Sequence, residues 1–197
     1  MGICAMALQP GTSRPSPGHK IYPYLLRHVP VIQANQVWAL DTTYIPMECG
    51  FVNLTSVVDV VSRRVLAQKV AITLEACHAT AVTKQDLARY GTPAIVNTDQ
   101  GSQFTATEFT QVVLGAGCKW SMDGRGVWRD NVFIERLRRT VEYEHVYKHV
   151  YASVSRVESQ IAQYREWYNA GRVHSSLDDQ KPDQAYWHKL PKLAVAA

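Results

Sequence analysis

The stretch Ala94-Ile95-Val96-Asn97-Thr98-Asp99-Gln100-Gly101-Ser102-Gln103-Phe104 decides how the chain folds. Apolar and β-branched residues lead into a polar turn, and a helical pattern follows. Asp99 falls where a buried strand ends and opens toward solvent, and Gly101 lets the chain turn sharply there. A carboxylate at the mouth of an apolar strand is expensive to bury unless something positive meets it. A side chain or a metal ion must be that partner.

Two more carboxylates invite comparison with Asp99. Upstream, Val37-Trp38-Ala39-Leu40-Asp41-Thr42-Thr43-Tyr44 is a β-prone run broken by one acid. Val37, Ala39, Asp41 and Thr43 share one face of that strand. Downstream, Asp130-Asn131-Val132-Phe133-Ile134-Glu135-Arg136-Leu137 reads as a helix, and 35 residues lie between Asp99 and Glu135. Steps of about 100° per residue gather Phe133, Ile134, Leu137 and Val141 on one side. Asn131, Glu135, Arg138, Arg139 and Glu142 fall on the other, so Glu135 looks outward among groups suited to phosphate.

Around these stretches the chain divides into an arm, a core and a tail. Residues 1–34 are rich in Pro, Gly and Ser and form an extended basic arm. The core spans 35–150, and 151–197 is a helix with a basic tail packing on it. Strands are expected at roughly 37–43, 51–60 and 64–72, in an antiparallel meander. A helix over 75–90 ends at Tyr90-Gly91, and Pro93 blocks its continuation. Ile95-Val96 then makes a fourth strand, reached by a helical crossover and so parallel to its neighbour. A helix at about 107–116 and a short fifth strand at 118–121 follow. A long helix over about 130–149, an amphipathic helix over 153–169 and an irregular tail with a turn at 184–187 complete the chain. The 153–169 helix has the core stripe Val154, Val157, Ile161, Tyr164 and Tyr168. This is an α/β plan: a mixed five-stranded sheet, three antiparallel strands then two parallel additions, flanked by helices. It matches the ribonuclease H-like arrangement, with acids at the ends of the first and fourth strands.

Composition narrows the chemistry. The 197 residues are 46% hydrophobic, enough for one folded domain. No apolar run of about 18 residues exists, so no membrane span is expected, and the N-terminus lacks a signal-peptide pattern. Cys4, Cys49, Cys77 and Cys118 are scattered, as in reduced cytosolic proteins rather than zinc sites. Residues 1–36 carry 3 Lys/Arg and no acids, 37–124 carry 6 and 8, and 125–197 carry 12 and 9. A basic head and tail around an acidic middle suit a polyanion gripped at the edges and cations held at the centre.

Two strand-end aspartates and a helix glutamate are hard oxygen donors suited to Mg²⁺. The other acids have plainer readings: Asp59 as a structural partner near Ser62-Arg63, Asp123 as a turn residue, Asp130 as a helix cap. His145 and His149 lie four apart, but no further ligand at zinc spacing accompanies them. The tryptophans Trp120, Trp128, Trp167 and Trp187 read as core or interface.

The words WALDTTYIP (38–46), ARYGTPAIVNTDQGSQFTA (88–106), SMDGRGVWRDNVFIERL (121–137) and VHSSLDDQKPDQAY (173–186) carry a resemblance. Together they resemble the integrase-type catalytic core of bacterial insertion-sequence transposases, most of all the second-frame product of the family numbered three. The resemblance runs from about residue 12 to 190. It implies a DDE transposase or integrase core that performs metal-dependent DNA cleavage and strand transfer in transposition and DNA integration. Asp41, Asp99 and Glu135 match the acidic triad and are implied to hold two Mg²⁺ ions, for which Mn²⁺ substitutes. Gln100, Gly101 and Gln103 shape the loop at the second aspartate. Arg125, Arg129, Asn131, Arg138, Arg139, Lys148, Arg172 and His174 are the candidate DNA contacts. Implied partners are DNA (element ends and target), further copies of the chain in a synaptic complex, and an upstream helix-turn-helix protein from the first reading frame. The setting is the cytoplasm and bacterial nucleoid.

Three positions depart from that pattern. Arg138 stands where relatives commonly have a bulky aromatic, Val173 where they have proline, and Asn53 where an aromatic or apolar residue is usual. The chain also starts after the helix-turn-helix region, so recognition of element ends is expected to be missing. The alternatives are a truncated inactive remnant that only binds DNA or partner subunits, and a ribonuclease H-like nuclease acting on RNA–DNA hybrids.

Overall fold

A computed structural model describes residues 20–123 and 132–191. Five strands form one sheet in the order β3-β2-β1-β4-β5. β1 (Val37–Pro46), β2 (Phe51–Asp59) and β3 (Val65–Ala71) are joined by short turns and pair antiparallel. α1 (Ala76–Tyr90) then crosses over, and β4 (Ile95–Thr98) lies parallel to β1. A single helical turn, α2 (Ser102–Thr105), leads into α3 (Thr107–Gly115) and so to β5 (Lys119–Met122), parallel to β4. α4 (Val132–Glu144), α5 (Val154–Ala170) and α6 (Pro182–Lys189) complete the described chain. The mixed five-stranded sheet read from the sequence is the sheet found.

β1 is buried on both faces, and its alternation sorts it between two cores. Val37, Ala39 and Ile45 join Ile134, Leu137 and Val141 of α4 and Val157, Ile161 and Tyr168 of α5. Trp38 and Leu40 face the other way, onto Ala79 and Val82 of α1 and Phe109 and Val113 of α3. Asp41 continues the first of these series, so it points toward α4. Asn169 near the end of α5 locks that layer to the sheet. Its amide donates to Val65 O and its carbonyl accepts from Val65 N, both at 2.9 Å, in the way a neighbouring strand would. The docked part of the arm also packs on the sheet: Tyr22 stacks on Trp120 at 4.4 Å between ring centroids.

Two elements differ from the sequence reading. The helix expected to reach residue 149 ends at Glu144. His145 leaves helical geometry (φ −129°), stacks on Tyr164 at 4.9 Å, and a 3-10 turn over Val146–Lys148 buries Val146. Burial of Val146 and Tyr151 outweighs the helical periodicity that runs on to residue 149. The tail holds a true helix, Pro182–Lys189, rather than a turn at 184–187. Pro182 begins it, and Gln184 folds back on the Lys181 N–H at 3.2 Å. Of the tryptophans, Trp120 is buried, while Trp167 and Trp187 are exposed; Trp128 lies outside the described residues.

Candidate active site

β1 and β4 run parallel in a register that pairs Leu40 with Thr98. Asp41 and Asp99 each follow by one residue. The two carboxylates therefore leave neighbouring strands at the same level, on backbones about 4.8 Å apart. α4 crosses the face to which Asp41 points and brings Glu135 and Arg138 over it. Ile134, Leu137 and Val141 on the inner side of α4 fix that approach by packing into the core.

Asp41 is 7% exposed, and its carboxyl is pushed up to about 7. Burial is the main cause, followed by the charges of Asp99 and Glu135. Arg138 and the Thr42 N–H pull it back. Burial also raises Asp99, opposed by the Gly101 N–H and by Arg138. Asp41 thus feels both other acids, and Arg138 acts on both aspartates.

Gly101 donates its N–H to Asp99 Oδ1 at 2.9 Å. Its backbone φ is an ordinary −61°, so the sharp turn does not itself require glycine. The space beside it is tight: a Cβ there would stand 2.6 and 2.7 Å from the Gln103 amide and 2.9 Å from Asp99 Oδ1, so those side-chain ends would have to shift. Gln103 is buried against this turn, and Gln100 donates to Asp123 O at 2.8 Å. Both brace the Asp99 loop. Asp123 in turn accepts from Asn97 at 2.8 Å, a buried structural bond. Asp59 accepts from the Ser62 N–H and hydroxyl and from Asn35 N, so it organises the β2–β3 turn.

Arg138 sits among the acids. Its Nη2 is 2.9 Å from Glu135, its Nη1 4.0 Å from Asp41 Oδ2, and its Nε 3.8 Å from Glu142. Glu142 also accepts from Thr43 Oγ1 at 2.8 Å. Asp41 Oδ2 is buried with no hydrogen-bond partner, an orphaned acceptor that suits a cation. The donor set of carboxylate oxygens fits a hard divalent ion. Among the described residues, Glu75, Cys77 and His78 are the only trio of ligand atoms all within 4.8 Å of one another. They are solvent-facing at the start of α1, where the helix dipole disfavours a cation. The acidic trio is wider and has a guanidinium set into it.

The proposed DNA contacts fall into three groups. Arg125, Arg129 and Asn131 lie outside the described residues. Arg139 and Lys148 are exposed, Arg139 over the Tyr143 ring at 5.4 Å. Arg172 forms a two-pronged pair with Glu144 (2.6 and 3.1 Å), and His174 beside it is brought down to about 4 by burial and by Arg172 and Arg63. Burial and the two arginines thus favour the neutral imidazole of His174. Arg63, Arg136, Arg139 and Arg172 line one cavity of about 530 Å³. The sequence reading did not single out Arg63, Arg136, Glu142 or Thr43. Glu142, seven residues from Glu135 on the same helix face, carried a periodic signal; Arg63, in a turn distant along the chain, carried none.

The family profile described as Integrase core domain matches residues 32–126, and a second of the same description matches 116–182. The transposase for insertion sequence element IS904 of Lactococcus lactis is 30% identical over 155 residues, covering 75% of this chain and 60% of the relative. Transposase InsF for insertion sequence IS3A of Escherichia coli K12 is 28% identical over 153 residues, 76% of this chain and 53% of the relative. The chain thus spans between half and two thirds of the length of these relatives. Among solved structures, the HTLV-2 integrase catalytic core domain in complex with magnesium superposes with a TM-score of 0.63 at 18% identity, over 79% of this chain and 98% of that one. A chain of the simian T-cell lymphotropic virus intasome in complex with PP2A regulatory subunit B56 gamma gives 0.70 at 17% identity, over 92% and 63%. By fold, by the matched profiles and by its relatives among insertion-sequence transposases, the chain belongs to the integrase core domain family.

Proposed function

We propose that this chain is the catalytic core of a DNA transposase, a metal-dependent polynucleotidyl transferase that cuts DNA and joins the freed end to another strand. The observation that carries the reading is the β1–β4 register, which brings Asp41 and Asp99 side by side beneath Glu135. Two Mg²⁺ ions, when bound, would activate the attacking oxygen and stabilise the leaving oxygen of an in-line displacement. Asp41, Asp99 and Glu135 would hold them, with Asp41, which feels both other acids, as the central ligand. Residues 35–150 are the catalytic unit, with 151–197 as its brace.

The remaining work of the chain is positioning. The Gly101 N–H fixes the Asp99 carboxylate, and Gln100 and Gln103 stiffen its loop. DNA would track along the outer face of α4, past Arg139 and Tyr143, toward the cavity lined by Arg63, Arg136 and Arg172. Lys148 extends that track, and Arg125, Arg129 and Asn131, outside the described residues, are proposed as further DNA contacts. Several copies of the chain would join two DNA ends in one complex. No described helix is long and apolar enough to cross a membrane; the proposed setting is the nucleoid.

The test is an assay of nicking and joining on labelled DNA with Mg²⁺ or Mn²⁺, comparing the wild type with Asp99→Asn. The wild type is expected to nick and join, and the variant to bind DNA without either. A wild type that binds DNA but never cuts it would replace this reading with a DNA-binding remnant. Preferential cleavage of RNA in hybrids would replace it with a nuclease.

A further inference from the structure

The metal-site acids already have a cation among them, and it belongs to the chain. Arg138 makes its closest contact with Glu135 (2.9 Å) but approaches Asp41 at 4.0 Å and Glu142 at 3.8 Å, beyond hydrogen-bond reach. Asp41 Oδ2 and Arg138 Nε are both buried without a hydrogen-bond partner. The guanidinium therefore neutralises Asp41 without satisfying it. A divalent ion sits about 2.1 Å from carboxylate oxygens and would draw Asp41 and Glu135 closer together than Arg138 allows. Two cations cannot share that space without strong repulsion.

We infer that Arg138 is a built-in gate on the metal site: its guanidinium occupies the cation position between Asp41 and Glu135, and a divalent ion enters only as it withdraws. The side chain is 41% exposed, so it has solvent to move into. Glu142, one turn further along α4 and held by Thr43 Oγ1, is the acceptor for the displaced guanidinium. Arg138 is thus a positioning residue. It keeps the apo site folded and sets the ion concentration at which the site fills. The inference rests on the proposed reading of Asp41, Asp99 and Glu135 as metal ligands.

Calorimetric titration of the EDTA-treated chain with MgCl₂ and MnCl₂ tests it, with thermal unfolding read in parallel. Arg138→Gln is expected to bind the first ion on the order of tenfold more tightly, a modest factor because the guanidinium is partly solvated. In EDTA the variant should unfold at a lower temperature than the wild type, and saturating Mg²⁺ should close the gap. Glu142→Gln should weaken metal binding in the wild-type background and have no effect in Arg138→Gln, the pattern of a residue acting through its partner. Equal or weaker binding by Arg138→Gln overturns the gate while leaving the metal site standing. No binding by either protein overturns both the gate and the metal-dependent reading.

Discussion

Asp41 makes the folded protein respond to pH in an unusual direction. A surface aspartate in an ion pair stabilises a fold as pH rises through its depressed pKa; Asp41 does the reverse. Its carboxyl goes from 3.8 to about 7 on folding. Between those values the folded chain holds a proton that the unfolded chain has released, so unfolding free energy falls as pH rises from about 4 to about 7 and levels off above that. The size follows from 1.36 kcal/mol per pH unit: on the order of 4 kcal/mol in the metal-free protein. For a chain of this length that is a fall in melting temperature of about 10 °C. Asp86 is also buried and raised to about 7, so the wild type's total slope includes it. The decisive quantity is the difference between the wild type and Asp41→Asn, in which the Asp86 contribution cancels. Melting curves in EDTA at half-unit steps from pH 4.5 to 8.5 should converge at the acid end, with the variant increasingly the more stable toward pH 8. Adding Mg²⁺ at pH 8 should raise the wild-type melting temperature and leave Asp41→Asn unmoved, because the ion binds the folded, ionised carboxylate. Parallel curves for the two proteins across the range would refute the buried, acid-coupled placement of Asp41.

Gly101→Ala should destabilise the Asp99 turn by about 1–3 kcal/mol, because its Cβ would stand under 3 Å from Gln103 and Asp99 Oδ1; denaturant melts measure it, and an unchanged midpoint would show that Gln103 yields. Arg136→Gln together with Arg139→Gln removes two exposed guanidiniums from the arginine-lined cavity. Fluorescence anisotropy should show weaker DNA binding across all sequences and a salt slope shallower by roughly 1–2, with metal affinity unchanged.

The sequence carried the sheet well because the sheet obeys local rules. The β-prone run Val37–Tyr44 marked the first strand, though not its burial on both faces, short turns enforced the antiparallel meander, and the α1 crossover required β4 to run parallel. Asp41 and Asp99 stood out because each breaks a β-prone run; Glu135 lies on the polar face of its helix and stood out only through the resemblance. Gly101 was legible as a special residue but for a different cause: its φ is unremarkable, and what a side chain there would displace is the Gln103 amide, a contact made only once the loop has closed. Pro182 shows the same ambiguity at a helix start. Proline before an acidic and polar run reads as a breaker, yet the first helical position has no intrahelical acceptor for an N–H and tolerates its loss.

Arg138 marks where linear pattern stops being informative. Helical periodicity assigns it to the polar face of α4 together with Glu135, Arg139 and Glu142, and on that basis alone a role in gripping phosphate is as reasonable for it as for Arg139. What separates the two arginines is the packing of Ile134, Leu137 and Val141 beneath them. That packing tilts one flank of α4 against Asp41 and leaves the other flank open, so that Arg138 meets carboxylates while Arg139 lies over Tyr143 beside solvent. Two arginines adjacent in the chain therefore meet different partners, one the protein's own carboxylates and the other an aromatic ring beside solvent. The carboxylate at the mouth of β4 needed something positive near it, a side chain or an ion. In this fold it is a side chain, Arg138, and the gate inferred for the site has that side chain give way to an ion.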